Sequence, residues 1–156
     1  MSKTNAMILA GVVVLALAGT LSAQTDMDLA AQRAQIQKDR NSVIAANLPL
    51  TTEQTATFWP LYKEYRSEMQ KLGDRGQKLI TDYAAGYNTT LTDEQAAALL
   101  KEYLSIQQET VAVKQRFAPR FGAILPARSV MRFYQLESKI DATLAASLVE
   151  QIPLAK

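Results

Sequence analysis

Neither cysteine nor histidine occurs anywhere in the 156 residues. Without cysteine there is no disulfide, no thiolate nucleophile, no thiolate metal site and no thiol to carry a lipid anchor. Without histidine the chain lacks the commonest transition-metal ligand and the commonest general base near neutral pH. Proline and glycine are scarce, at five and six residues, and no alternating strand pattern bounded by hairpin turns appears. Neither charge sign dominates: 17 Lys and Arg stand against 15 Asp and Glu, so no bulk electrostatic footprint for nucleic acid exists. What remains is rich in Ala, Leu, Gln, Glu and Lys, all good helix formers. The expected class is all-α, with no cofactor, no bound metal and no catalytic role.

The N-terminus reads as an export signal, residues 1–23. Lys3 gives a thin positive start, Ala6 to Ala18 is an uncharged apolar run, and Leu21-Ser22-Ala23 supplies the small residues of a cleavage site before Gln24. The apolar run is shorter than the ~20 residues that span a bilayer. The expected mature chain, 24–156, is a single helical domain with no lasting membrane contact. Export into an oxidising compartment without any cysteine points to a bacterial periplasm, and export itself removes nucleic acid as a partner.

Two strings mark helix starts, Leu50-Thr51-Thr52-Glu53-Gln54 and Leu91-Thr92-Asp93-Glu94-Gln95. Thr followed three residues later by Gln is a capping box, in which hydroxyl and amide side chains satisfy two orphan backbone donors reciprocally. Four helices follow from these starts and from the breakers. The first is expected over about 26–47, ended by Leu48-Pro49, with a sparse apolar set that includes Val43, Ile44 and Leu48. The second runs from the Thr51 box to about residue 85. Its Phe58, Tyr62, Tyr65, Met69, Leu72, Gly76, Leu79 and Tyr83 alternate steps of four and three, a heptad seam. Pro60 should bend it, and Gly76 should let another backbone approach closely. The third opens at the Thr92 box and carries the spacing on through Leu99, Tyr103, Ile106, Val113, Phe117, Phe121 and Ile124. Pro126, at a first-turn position, starts a fourth helix with Val130, Phe133, Ile140 and Leu144 on its apolar face. The long second and third helices form an antiparallel hairpin flanked by the two shorter ones. A hairpin so elongated cannot enclose a core alone, which predicts a homodimer.

Candidate binding chemistry is confined to charge and aromatics. Glu64 and Glu68 lie one turn apart and are expected to pair with Lys63 or Lys71 on a solvated face. Trp59 and Leu61 fall off the seam and either pack under a neighbouring helix or meet a partner. Between Lys114 and Lys139 the basic residues Arg116, Arg120, Arg128 and Arg132 face the single acid Glu137. Two readings stand open for that stretch. It is either a solvated face with interhelix ion pairs, or a basic patch beside Phe117, Phe121 and Phe133 able to hold an acidic or amphipathic polypeptide.

An exported, all-helical chain of this length with two Leu-Thr-x-x-Gln boxes resembles the Spy/CpxP family of periplasmic stress proteins. The residues that carry the resemblance are Leu50, Thr51, Gln54, Leu91, Thr92 and Gln95. The run from Ala45 through Tyr65, and the close from Arg132 to Asp141 followed by Gln151-Ile152-Pro153-Leu154, also resemble a recurring, uncharacterised group of exported bacterial helical proteins. The Spy/CpxP resemblance implies a curved, dimeric hairpin acting as an ATP-independent chaperone for unfolded or envelope polypeptides, or damping the periplasmic domain of a sensor kinase. Metal sensing in that family works through His, Met or Cys constellations absent here, so it does not transfer. An exported adaptor with one envelope partner, or a protein lying on the membrane surface, is the competing expectation.

Overall fold

The computed structural model describes residues 22–87 and 90–149, with side chains over 35–87 and 90–146. The expected signal segment lies outside these residues except for its last two. The chain divides into a first unit, Met1–Lys38, and a second, Asp39–Lys156, and the architecture below is that of the second. The described residues form an all-α fold of four helices: α1 (Ser22–Asn47), α2 (Thr52–Tyr87), α3 (Asp93–Gly122) and α4 (Ala127–Val149). The helix α1 starts earlier than the sequence suggests, since nothing between Ser22 and Asp26 breaks a helix. None of the described helices is long and apolar enough to cross a membrane.

Both capping boxes form. At each, the Thr backbone N–H donates to the Gln side-chain oxygen at 3.0 Å and the Gln N–H donates to the Thr hydroxyl at 3.2 Å. Thr51 and Thr92 thereby fix where the two long helices start, each cap contributing ~1 kcal/mol. The leucine of each string packs. Leu50 lies against the core, and Leu91 lies over Gly86, where an added Cβ would meet its Cδ1 at 2.7 Å. Gly86 is therefore the residue that lets the loop close. Pro60 and Pro119 sit inside α2 and α3 without ending them. Pro126 stands just outside α4 and its carbonyl accepts from the Ser129 and Val130 N–H groups.

The hairpin of α2 and α3 is antiparallel, and its register is fixed by charge. Glu64 pairs with Arg120, Glu68 with Arg116 and Arg75 with Glu109, so one residue number falls as the other rises by the same amount. The seam is occupied as expected at Phe58, Tyr62, Tyr65, Leu72, Val113, Phe117 and Phe121, all buried. Ile44, Leu48, Leu125 and Phe133 close the cluster from α1, the α3–α4 connection and α4. Leu61 is buried and Trp59 is half-buried edge-on to Phe58, at 5.2 Å between ring centroids. Both off-seam residues are thus packing residues.

That core occupies one end only. From Gly73 to Ala112 no described side chain is fully buried. Two expectations are corrected there. Tyr103 is 48% exposed, because the seam loses its partners once α2 and α3 extend beyond α4. Gly76 has nothing within 4 Å of an added Cβ, so among the described residues no backbone crosses close to it.

Candidate functional site: a charged groove and a buried ionic cluster

The expected basic patch does not assemble as such. Phe117 and Phe121, proposed to face a partner, are 1% and 0% exposed. The heptad that includes them wins over the basic residues beside them, because burying two aromatic rings is worth more than displaying them. Arg116 and Arg120 remain outside. Their guanidinium carbons stand 5.7 and 4.7 Å from the Phe117 ring centroid while their nitrogens pair with Glu68 and Glu64. The glutamates therefore serve the neighbouring helix rather than Lys63 or Lys71. On α4, Arg128 is exposed. Arg132 is given to α1, its Nε donating to the Asn47 carbonyl at 2.5 Å. The structure thus brings Arg116 and Arg120 together and separates Arg128 and Arg132 from them in role.

A groove of about 390 Å³ opens between α2 and α3 beside Arg116. Its apolar floor is Leu72, Ala112 and Val113, and its rim is Glu68, Lys71, Arg75, Glu109 and Arg116. Arg75 spans the hairpin. Its Nε donates to Glu102 at 2.8 Å, one terminal nitrogen to Glu109 at 2.7 Å and the other to Ser105 at 3.3 Å. Hydrogen bonds from Arg75 hold the carboxyls of Glu102 and Glu109 below their ordinary range, and Ser105 adds to the effect at Glu109. Lys71 is exposed and has no such partner among the described residues. The groove therefore offers one uncommitted cation and two more whose pairs a competing carboxylate can exchange, above an aliphatic floor.

The second assembly was not singled out by sequence. Glu137 is fully buried and accepts three hydrogen bonds. Its Oε2 accepts from Arg40 at 3.2 Å and Arg66 at 3.1 Å, and its Oε1 accepts from the Tyr62 hydroxyl at 2.9 Å. Arg40, 3% exposed, also donates to Asp141 at 2.8 Å. Burial works against the Arg40 charge, but Glu137 and Asp141 outweigh it and keep its pKa above the usual guanidinium value. Burial and then the Glu137 charge push the Tyr62 phenol upward, so it stays protonated as the donor. The cluster ties the end of α1 to α2 and α4. Its signal in sequence is position: Glu137 falls one turn after Phe133 and one turn before Ile140, on the apolar face of α4.

Two adjacent seam tyrosines differ in one respect that a conservative substitution exposes. The Tyr62 hydroxyl serves Glu137, whereas the Tyr65 hydroxyl is buried with no hydrogen-bond partner among the described residues. Tyr62→Phe is expected to cost about 1.5–3 kcal/mol, the value of a hydrogen bond to a charged group. Tyr65→Phe is expected to be neutral or stabilising, since it removes an unsatisfied buried polar atom. Urea midpoints of the two variants check this pair, and equal losses would contradict the assignment.

No family model matches this chain, and neither a curated protein nor a solved structure matches it.

Proposed function

We propose that this chain is an exported, ATP-independent polypeptide-binding protein of the periplasm, acting as a chaperone or envelope-stress adaptor through the groove between α2 and α3. The observation that carries the reading is the groove itself. It sets Leu72, Ala112 and Val113 beneath Lys71, Arg75 and Arg116, in a hairpin whose outer half has no fully buried side chain among the described residues. An aliphatic floor under exchangeable cations suits an extended segment with alternating apolar and acidic side chains, the kind an unfolded chain presents. Pocket sizes of ~300–1,000 Å³ accommodate a few side chains, not a folded partner. Shared binding across many clients follows from contacts to residue types rather than to one sequence. No side chain in the groove has the pairing of nucleophile and base that catalysis by acyl or phosphoryl transfer needs.

The test is suppression of aggregation of a chemically denatured acidic client at stoichiometric ratio, with no nucleotide added. Wild type is expected to hold the client soluble. The variant Lys71→Glu/Arg116→Gln is expected to bind it at least about fivefold more weakly, roughly 1 kcal/mol. Arg128→Glu, which alters the basic stretch but not the groove, is expected to behave as wild type. Unchanged aggregation with wild type, or full activity in the groove variant, would overturn the reading and leave an adaptor with one specific envelope partner.

A further inference from the structure

The two arginines of the groove are each held twice, once at its rim and once by a residue outside its lining. Arg75 donates through Nε to Glu102 at 2.8 Å, and only its terminal nitrogens reach Glu109 and Ser105. Arg116 lies over the Phe117 ring at 5.7 Å and pairs with Glu68. Glu109 also keeps a second partner, accepting from the Ser105 hydroxyl at 2.9 Å. Releasing Glu109 and Glu68 would therefore leave both guanidinium groups in place, one anchored by Glu102 and the other by the aromatic face. All four side chains of the two rim pairs are at least a third exposed. At such exposure an ion pair adds little, and a competing carboxylate can replace one partner.

The spacing of the two pairs along the hairpin decides what can replace them. Glu68 with Arg116 and Arg75 with Glu109 lie seven residues apart on each helix, which is ~10 Å of helix axis. Leu72, Ala112 and Val113 fall midway between the two pairs, with Lys71 beside them. A ligand that engages both arginines must carry two carboxylates ~10 Å apart on one side, with apolar bulk between. An extended strand misses, because its same-side residues repeat at ~6.7 and ~13 Å. A helix spans ~10 Å only over two full turns, too bulky for a groove of about 390 Å³. Polyproline II has three residues per turn, and brings residues i and i+3 to one side ~9 Å apart. It is also a major conformer of unfolded chains. We propose that Glu68 and Glu109 are internal competitors for the groove. A client displaces them with acidic side chains at i and i+3 of a polyproline II segment, an apolar residue lying between. The proposal rests on the groove being the client site and narrows what that site accepts.

Short labelled peptides of one composition, with two glutamates set at i,i+2, i,i+3 or i,i+5 around leucine, test this by fluorescence anisotropy at fixed ionic strength. The i,i+3 order is expected to bind about threefold more tightly than the other two. Glu109→Gln is expected to tighten that peptide by a further factor of about three. Glu102→Gln and Glu64→Gln change the net charge equally, but the first removes the anchor of Arg75 and the second acts outside the groove. Neither is expected to tighten the peptide. Equal binding of the three orders, or a gain for Glu109→Gln no larger than that for Glu64→Gln, would overturn the proposal. If Lys71→Glu/Arg116→Gln then still loses the denatured client, the groove keeps its clients and only the selection by spacing fails. A wild type that holds neither client nor peptide would overturn both.

Discussion

Replacing Glu137 with alanine is expected to remove about 3 kcal/mol of stability, because it takes from Arg40 and Arg66 the only fully buried carboxylate of the cluster and leaves Arg40 with the part-exposed Asp141. Attraction between Glu137 and its two arginines is largely offset by the cost of taking all three charges from water. The pairing therefore adds little while intact, but the Arg40 nitrogen that faced Glu137 loses its acceptor at a site 3% exposed, where it cannot recover its hydration, and Asp141 satisfies only the other terminal nitrogen. Glu137→Gln keeps the shape and an acceptor for Tyr62, and is expected to lose less than Glu137→Ala. The double variant Arg40→Met/Glu137→Leu is expected to lose less than the sum of its single changes. It removes the two most buried charges together, and leaves Arg66 and Asp141, whose side chains are 14% and 38% exposed, free to reach solvent. A double-mutant cycle by urea unfolding measures this; simple additivity would contradict the coupling.

Phe133→Ala carries the second large effect, expected at about 3–5 kcal/mol. Phe133 has zero exposure and its ring centroid lies 4.5 Å from that of Phe121 and 5.0 Å from that of Tyr134, with Phe58, Tyr62 and Tyr65 all within 6 Å. Helices α2, α3 and α4 thus meet at one ring. Removing it leaves a cavity walled by five other rings, which cannot collapse without moving three helices. By contrast Phe133→Leu retains most of the volume and is expected to cost less than half as much. Both are read from thermal or urea unfolding, and a loss under 1 kcal/mol for the alanine variant would contradict the placement of the core.

The helices, their caps and the α2–α3 seam were legible in sequence because each rests on local rules. Thr51 and Gln54 are three residues apart and need only one another; so are Thr92 and Gln95. Phe58, Tyr62 and Tyr65 announce a buried stripe by spacing alone. Phe117 and Phe121 could be read either as seam or as patch, and the seam reading carried because burial favours aromatic rings over exposed ones. What was not legible depends on residues far apart. Arg40 and Glu137 are separated by 97 positions, and nothing local distinguishes Arg40 from the other basic residues of α1. The groove was missed for the same reason. Lys71, Arg75, Ala112 and Arg116 acquire a shared surface only once the register of the hairpin is set by Glu64–Arg120 and Glu68–Arg116. Gly76 misled because α3 runs beside it at a distance bridged by the long Arg75 side chain rather than by backbone contact.

The reading of the hairpin as a polypeptide-binding device rests on where a client sits. Backbone amide shifts of the purified chain, titrated with an unfolded acidic client, test that most directly. The account predicts perturbations concentrated at residues 68–75 and 109–116, with Arg128 and the start of α4 unmoved. Perturbations centred on α4, or none at saturating client, would contradict it.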